Sequence, residues 1–315
     1  MTVLILEPLE ADVVQWLAER HDARFAPELV GDVEALVDAL RDTRALIAPP
    51  EVRVDADLLR RARTLRAIGR ASGGADNVDV EACRKAGVEI VRSQASTASA
   101  EAEFAIGAML SLLRRVPIEG SDGLKVGREL GCSTIGLLGL APAARVTTQL
   151  LQAFGARVIG YDPSLHPNDG IWARWGIEVA SLAELVEQSD GLVLMLPYFD
   201  RYRGLLGDRQ LESARPGQVL VGLSQSGIVD EAALARALRT GKLRAAWFDA
   251  LEPGWLDVGR PLHGIGSLQV TPRLAGTTRE SRVRAAWAVA RAIDGLLGVP
   301  TPSKGMGSEP VIDFY

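Results

Sequence analysis

Residues 134–144, Thr-Ile-Gly-Leu-Leu-Gly-Leu-Ala-Pro-Ala-Ala, combine a short apolar run, a glycine turn and a run of small residues. The apolar run predicts a buried strand, and Pro142 suits the first turn of a helix, where its missing N–H costs little. A second strand is predicted at Arg157–Tyr161, and Asp162 follows it directly. Strand, glycine turn, helix, strand and acid in this order are typical of a dinucleotide-binding βαβ unit.

The glycine pattern of this unit departs from the full fingerprint. Its three glycines would fall at positions 139, 141 and 144, where the chain has Gly139, Ala141 and Ala144. Alanine at the third position is a common variant, but the backbone at the second approaches the pyrophosphate closely. The methyl group of Ala141 could therefore weaken binding or shift the phosphates. An ordinary βαβ unit that binds no nucleotide is the alternative interpretation.

Asp162 predicts which dinucleotide the unit would take. Its carboxylate is placed to accept hydrogen bonds from the adenosine ribose. The same negative charge would repel a 2′-phosphate, so NAD is expected rather than NADP.

The same alternation extends on both sides of this unit and predicts parallel sheets. Further strands are expected at Gly191–Leu196, Gln218–Leu223 and Ala245–Asp249. Earlier in the chain, strand-like segments alternate with helical ones: Met1–Leu6, Glu10–Arg20, Ala45–Ala48, Ala56–Ala62, Leu65–Gly69, Val80–Ala86 and Val88–Val91.

A long helix is predicted from about Ala98 to Arg115, and the polar segment Glu119–Gly131 after it is interpreted as a linker. The last helix, Thr278–Leu297, ends at Gly298 with Pro300 just beyond, a normal helix stop. Two alternating series joined by a long helix predict an α/β protein of two doubly wound domains. The last helix is expected to pack on the first domain.

Composition narrows the function classes. A length of 315 residues is comfortable for two domains, and a net charge of −5 leaves no basic footprint for nucleic acid or anionic lipid. Two cysteines exclude a disulfide framework and a cysteine-rich metal site. No apolar run approaches the roughly 20 residues of a membrane span, and the N-terminus is interpreted as a strand rather than a signal peptide. We therefore expect a cytoplasmic protein.

Further motifs follow along the chain in a fixed order. They are Ile68-Gly-Arg-Ala-Ser-Gly-Gly-Ala-Asp-Asn77, Ala102-Glu103 with Ile106 and Leu110, Leu196-Pro197, Arg203-Gly-Leu-Leu206, Gly227-Ile-Val-Asp-Glu231, Asp249-Ala-Leu-Glu-Pro253 and Thr271-Pro272. With these motifs the chain resembles the D-isomer-specific 2-hydroxyacid dehydrogenases, the family of phosphoglycerate and D-lactate dehydrogenases, along nearly its whole length.

The resemblance implies two doubly wound Rossmann-like domains, with the NAD-binding domain inserted into the substrate domain. Residues 1–97 and 279–315 would form the flavodoxin-like substrate domain, and residues 98–278 the dinucleotide-binding domain. It also implies NAD as cofactor and a small-molecule substrate or ligand. A homodimer is allowed, although the segment before Glu129 is shorter than in the family.

The resemblance also assigns binding roles to individual positions. The implied substrate-binding residues are Ser72, Gly73, Gly74 and Arg273. The implied cofactor-binding residues are Gly139, Leu140, Ala141, Pro142, Ala143, Asp162, Leu196, Pro197, Leu223 and Asp249.

The catalytic positions of the family are changed in this chain. Family members use an arginine to bind the substrate carboxylate and keto oxygen, a histidine as acid/base and a glutamate that supports its charge. The matching positions here are Gln225, Gly254 and Arg273, respectively. Gln225 is neutral, Gly254 has no side chain, and Arg273 cannot exchange a proton near neutral pH. Ordinary 2-hydroxyacid dehydrogenase activity is therefore not expected.

Other side chains could take over part of this chemistry. Arg273 and Gln225 are the candidate catalytic residues, and Arg273 could anchor a carboxylate or phosphate or simply pair with an acid such as Glu252. Tyr198 and Tyr202 could supply a phenol near the nicotinamide or serve as packed aromatic residues.

The remaining polar candidates are weaker. Ser224 and Ser226 flank Gln225 and could bind a polar ligand or satisfy backbone at a strand end. No metal-ligand spacing occurs in the sequence. The three histidines match no family site and are expected on the surface or in loops: His21, His166 and His263.

Three functions remain in competition. The first is a divergent NAD-binding oxidoreductase with a non-standard site that acts on or binds a small anionic metabolite. The second is a catalytically inactive relative that senses a metabolite or dinucleotide or binds a partner. The third, an ordinary dehydrogenase, would require all three catalytic positions to be misplaced.

Overall fold

The computed structural model describes residues 2–72, 77–115, 118–119 and 121–298. The chain divides into two compact units, Met1–Thr97 with Arg279–Tyr315, and Ala98–Thr278. Element labels below run in chain order, and each unit is described by itself.

The first unit is a parallel sheet flanked by helices. In its described part, the strand order is β2-β1-β3-β4-β5, with every neighbouring pair parallel. The strands are β1 Val3–Ile5, β2 Ala23–Phe25, β3 Ala45–Ile47, β4 Ala67–Arg70 and β5 Glu89–Arg92. The helices are α1 Ala11–Arg20, α2 Val33–Leu40, α3 Ala56–Arg61, α4 Val80–Ala86 and α11 Arg279–Leu297.

Helix α11 packs directly on this sheet, as predicted for the last helix. A Cβ atom on Gly69 would lie 2.6 Å from Val289 Cγ1 and 2.8 Å from Ile293 Cδ1. Val289 and Ile293 are fully buried with strand residues of the same core. The glycine in β4 therefore permits the close approach of helix and sheet.

The second unit carries the larger sheet. Among its described residues the order is β10-β9-β8-β11-β12-β13-β14, all parallel. The strands are β8 Thr134–Leu138, β9 Arg157–Tyr161, β10 Glu178–Val179, β11 Gly191–Leu194, β12 Gln218–Gly222, β13 Leu243–Phe248 and β14 Leu268–Val270. The helices are α5 Ala98–Arg115, α6 Pro142–Ala153, α7 Gly170–Trp175, α8 Leu182–Gln188, α9 Asp208–Glu212 and α10 Glu231–Arg239.

Several elements differ from the sequence-based expectation. The segment interpreted as a linker contains β7 (Lys125–Val126), which pairs antiparallel with β6 (Ile118–Glu119). Strand β2 and helix α2 were not predicted. β2 has three residues and one polar position, so it lacks a readable alternation, whereas α2 buries Leu36, Val37 and Leu40 on one short face. In the described part of the chain, no helix is long and apolar enough to cross a membrane.

Candidate functional site: a dinucleotide edge and an arginine turn

The glycine turn after β8 is fixed by a close backbone contact. Gly139 has φ +93°, and its amide donates to the Tyr161 carbonyl at 2.8 Å. A Cβ atom here would lie 2.3 Å from Leu196 Cα, so no other residue fits without moving the chain after β11. The structure thus brings together two of the predicted cofactor positions.

The second fingerprint position tolerates its alanine without strain. Ala141 is the N-cap of α6 with φ −61° and ψ 164°, an extended conformation open to any residue. The Ala144 amide donates to the Ala141 carbonyl at 2.8 Å, and Pro142 occupies the first turn. No side chain caps this helix end, so its positive dipole end remains available to an anion. The Ala141 methyl therefore causes no backbone strain at this position.

Asp162 joins this turn to the end of β9. Its Oδ2 accepts a hydrogen bond from the Leu140 amide at 2.8 Å, and its Oδ1 accepts from the Ser164 amide and hydroxyl at 2.9 and 2.6 Å. The side chain is buried and fixed in place. A carboxylate has about four lone-pair positions, so it can still accept from a ribose hydroxyl.

Three more predicted cofactor positions lie at the same edge of the sheet. Leu196 is buried, and Pro197 after it is exposed. The Leu223 amide donates to the Leu194 carbonyl at 3.0 Å, which ties the end of β12 to β11.

Asp249 holds the turn 271–275 at the end of β13 by hydrogen bonds. Its carboxylate accepts from the Thr271 hydroxyl at 2.7 Å and from the Leu274 and Ala275 amides at 2.8 Å each. Its backbone carbonyl accepts from the Arg273 amide at 2.6 Å. Asp249 is therefore committed to shaping the turn that presents Arg273.

Arg273 has an unusual backbone conformation and an exposed side chain. In the described part of the chain it is the one non-glycine residue with positive φ, at +56°. The residue is exposed, and its guanidinium has no partner among the described residues. Glu252, the acid suggested as an alternative partner, binds Arg203 at 2.9 Å, and no ion pair joins it to Arg273 among the described residues.

The other two altered positions also lack proton-transfer groups. Gln225 is exposed, and its side chain has no hydrogen-bond partner in the described structure. Gly254 has φ +84°, and its carbonyl accepts from the Asp257 amide at 3.0 Å. A glutamate at position 254 would be strained in this left-handed turn.

The polar cluster around Gln225 divides into two roles. The Ser226 hydroxyl accepts from the Glu252 amide at 2.9 Å, so it satisfies backbone. The Ser224 hydroxyl is buried and has no partner among the described residues.

Tyr198 and Tyr202 differ in their surroundings. Tyr202 is 7% exposed in the apolar core, as expected of a packed aromatic residue. Tyr198 lies beside Arg203, whose Cζ is 5.7 Å from its ring centroid. Its hydroxyl is buried, and Arg203 is its neighbour. The hydrogen bond to Glu252, with a smaller contribution from the Tyr198 side chain, raises the pKa of Arg203.

In the first unit, two of the substrate-binding positions lie outside the described residues, namely Gly73 and Gly74. The Ser72 carbonyl accepts from Arg70 Nη2 at 3.1 Å, and Arg70 Nη1 donates to Asn77 Oδ1 at 2.5 Å. Arg70 is buried, and so is Glu7, which follows β1 and accepts from the Ala71 amide at 3.2 Å. The sequence analysis did not name Glu7 as a candidate site residue, although an acidic residue close after a buried strand can be recognised in the sequence.

His21 lies in a loop, as expected, and is buried there, with its Nε2 2.9 Å from Asp294 Oδ1. His166 and His263 are exposed, as predicted. No group of potential metal ligands occurs within the part of the chain that the structure describes.

The family model for the D-isomer specific 2-hydroxyacid dehydrogenase, NAD binding domain, matches residues 108–275. The chain belongs to this family. It is 33% identical over 306 residues to the (S)-sulfolactate dehydrogenase of Chromohalobacter salexigens, covering 94% of this chain and 98% of that one. It is also 33% identical over 301 residues to a D-3-phosphoglycerate dehydrogenase of Mycobacterium tuberculosis, but spans only 56% of that longer protein.

Solved structures confirm the predicted fold class. A crystal structure from Thermus thermophilus matches with a TM-score of 0.74 at 26% identity, covering 94% of this chain and 97% of that one. D-2-hydroxyisocaproate dehydrogenase matches with a TM-score of 0.74 at 20% identity, over 94% and 97% of the two chains, which shows the fold. The family is one of NAD-dependent oxidoreductases, and NAD is the cofactor of this domain.

The residues present fit that cofactor. The β8 turn has Gly139 at positive φ, the N-terminal end of α6 has no side-chain cap, and the Asp162 carboxylate is fixed beside the turn by the Leu140 amide. Ala141 leaves the turn unstrained.

Proposed function

We propose that this chain is a divergent member of the 2-hydroxyacid dehydrogenase family that binds NAD and a small anionic metabolite. The observation that carries the proposal is the exposed guanidinium of Arg273, which has no partner among the described residues and lies on a turn held by Asp249. A guanidinium fork is the side chain best suited to a carboxylate or phosphate.

The dinucleotide would be held across the carboxyl edge of the second unit's sheet. Asp162 would receive the adenosine ribose, and the N-terminus of α6 would face the pyrophosphate. Bound NAD supplies a hydride acceptor. The Ala141 methyl would stand at the phosphates, so we expect weakened rather than abolished binding.

The metabolite would belong to the class of small acids with a second negative group. Support comes from the names of two relatives, which act on sulfolactate and on 3-phosphoglycerate. Each of these substrates carries a carboxylate and a second strong anion. A cation at Arg273, in place of the family histidine, adds charge that complements the second group.

Proton transfer would not follow the usual route. Gln225, Gly254 and Arg273 offer no group that exchanges a proton near neutral pH. We therefore infer that turnover of ordinary 2-oxo acids is absent or very slow.

A second function is favoured by Gly254. Its φ of +84° shows a turn that favours glycine, and this position carries no carboxylate that could support a catalytic acid/base. This observation favours a catalytically inactive protein that senses a dinucleotide or metabolite or binds a partner.

Two measurements test these proposals. Calorimetric titration should show binding of NADH and not of NADPH, which Asp162 would repel; absence of NADH binding would contradict the cofactor proposal. An absorbance screen of 2-oxo acids with NADH separates the two functions. Turnover of one acid at about 10 per second, a typical enzyme rate, would exclude the inactive protein.

A further inference from the structure

A groove in the second unit lies between helix α10 and the segment 259–263. Its volume is about 480 Å³, which is within the range of small-molecule sites. The whole chain has a net charge of −5, yet none of the described residues that line this groove is acidic. Three arginines, a histidine and two alanines form most of its wall: Arg236, Arg239, Arg260, His263, Ala232 and Ala235.

Helix α10 supplies one side of the groove. Positions 232, 235, 236 and 239 follow the helical spacing of a single face. The two alanines end at Cβ, so space remains between the longer arginine side chains. Arg239 lies in the last turn of the helix, where the helix dipole favours a cation. The dipole accounts for Arg239, but it does not account for Arg260 and His263 on the facing segment.

Two acids outside the groove hold two of its arginines. Arg236 Nε donates to Asp208 Oδ1 at 2.9 Å, and its Nη2 donates to Asp208 Oδ2. Arg260 Nη2 donates to Glu231 Oε2. A guanidinium has five N–H donors, so both arginines keep donors for a ligand. The ion pairs therefore orient these two side chains without filling the groove.

Arg239 and His263 are left for a negative ligand. Arg239 is exposed and has no partner among the described residues. The Nδ1 atom of the exposed His263 is 3.0 Å from the Leu256 carbonyl oxygen. Because a carbonyl oxygen can only accept, Nδ1 carries a proton, and Nε2 becomes a second donor when the ring is protonated.

We propose that this groove binds a phosphate group, either as the free ion or as the monoester of a small molecule. A phosphate carries close to two negative charges at neutral pH, and its oxygens accept from several guanidinium groups at once. Since Asp208 and Glu231 offset Arg236 and Arg260, the charges of Arg239 and protonated His263 match this dianion. Neither Gln225, Gly254 nor Arg273 lines the groove, so the site is separate from the one in the proposed function.

The test follows the histidine C2–H signals by NMR while inorganic phosphate is titrated into the protein at pH 7 and constant ionic strength. The chain has three histidines, and the variant His263→Gln assigns the signal of interest. A nearby dianion favours the protonated ring, so the His263 signal should shift and saturate, while those of His21 and His166 should stay in place. Glycerol 3-phosphate, used in a second titration, should bind more tightly if the natural ligand is a monoester and more weakly if it is the free ion.

Variants assign the binding to the groove. Arg239→Gln should weaken phosphate binding at least about tenfold, the effect of one lost charge-assisted hydrogen bond. The matched control is Arg174→Gln, because Arg174 is an exposed arginine in the last turn of α7 that does not line the groove. Arg174→Gln and Arg273→Gly should both leave phosphate affinity unchanged.

Four results would overturn the inference. They are a His263 signal that does not saturate, equal shifts of all three histidine signals, equal losses in Arg239→Gln and Arg174→Gln, and an equal response to acetate, which is a carboxylate with a single charge. Loss of phosphate binding in Arg273→Gly alone would also contradict it, because the phosphate would then lie at the site of the proposed function. Failure at the groove leaves the proposed function standing, since Arg273 takes no part in this site.

Discussion

The amide of Arg273 donates to the carbonyl of Asp249 at 2.6 Å, while the arginine itself adopts a left-handed backbone conformation with φ +56°. The Asp249 carboxylate holds the next two amides of the same turn. A strained arginine is thus kept in place by a buried acid. Strain of this kind persists only where the surrounding structure over-determines it, and it is commonly found at functional sites.

Replacing Arg273 by glycine should stabilise the protein or leave its stability unchanged. Glycine adopts positive φ without penalty, whereas a residue with a Cβ pays about 1 kcal/mol there. Arg273→Ala is the matched control, since it removes the guanidinium but keeps the strain. Urea unfolding should rank the glycine variant above the alanine variant; the reverse order would contradict a strained turn.

Replacing Asp249 by alanine should destabilise the second unit strongly. The Leu274 and Ala275 amides and the Thr271 hydroxyl would lose their acceptor, at about 1–3 kcal/mol for each buried group left unsatisfied. Thr271→Val removes only one of these bonds and should cost about 1 kcal/mol. Denaturant midpoints measure both, and equal losses would show that the carboxylate does not hold the turn.

The two fingerprint positions should respond in opposite ways. Gly139→Ala should prevent stable folding, because its Cβ would lie 2.3 Å from Leu196 Cα. Ala141→Gly should leave the fold intact and bind NADH about fivefold tighter, the effect of relieving about 1 kcal/mol of crowding. Thermal melting and NADH titration check the pair. A soluble, folded Gly139→Ala protein would contradict the first expectation, and unchanged affinity the second.

Restoring the family's catalytic residues should affect stability differently at the three positions. Arg273→His is compatible with the left-handed backbone, in which histidine is enriched, and Gln225→Arg is at an exposed position. Gly254→Glu is strained at φ +84°. We expect the double variant with His and Arg to fold as wild type and the triple variant to melt at a lower temperature. Reduction of a 2-oxo acid by NADH should appear first in these variants; complete inactivity of both would argue against an aligned site.

The two cysteines should react very differently with a thiol reagent. Burial raises the pKa of the Cys83 thiol, so little reactive thiolate forms in the native protein, whereas Cys132 is exposed. Native protein should therefore be labelled once per chain and unfolded protein twice, as measured by mass spectrometry. Rapid double labelling of native protein would contradict the burial of Cys83.

The sequence predicted the elements whose signals are local and strong. The strand–turn–helix of residues 134–153, for example, has an apolar run for the strand, a glycine for the turn and a proline for the first turn of the helix. Strand β2 was missed because three partly polar residues acquire their strand character only from pairing with β1.

The sequence named candidate site residues but not their geometry. Asp162, Asp249 and Arg273 were proposed from their motifs, and their roles stay predictions. The hydrogen bonds from the 271–275 turn to Asp249 could not be predicted, because they involve backbone amides whose positions depend on the fold. The burial of the Ser224 hydroxyl, which has no partner among the described residues, is likewise a property of packing.

The measurement that tests the central claim most directly is calorimetric titration of sulfolactate into the NADH-saturated protein, wild type against Arg273→Gly. The proposal predicts binding by the wild type and at least about tenfold weaker binding by the variant, as expected for loss of a charge-assisted hydrogen bond. NADH affinity should be the same in both. Equal sulfolactate binding by the two proteins, or none by the wild type, would contradict an anion anchor at Arg273.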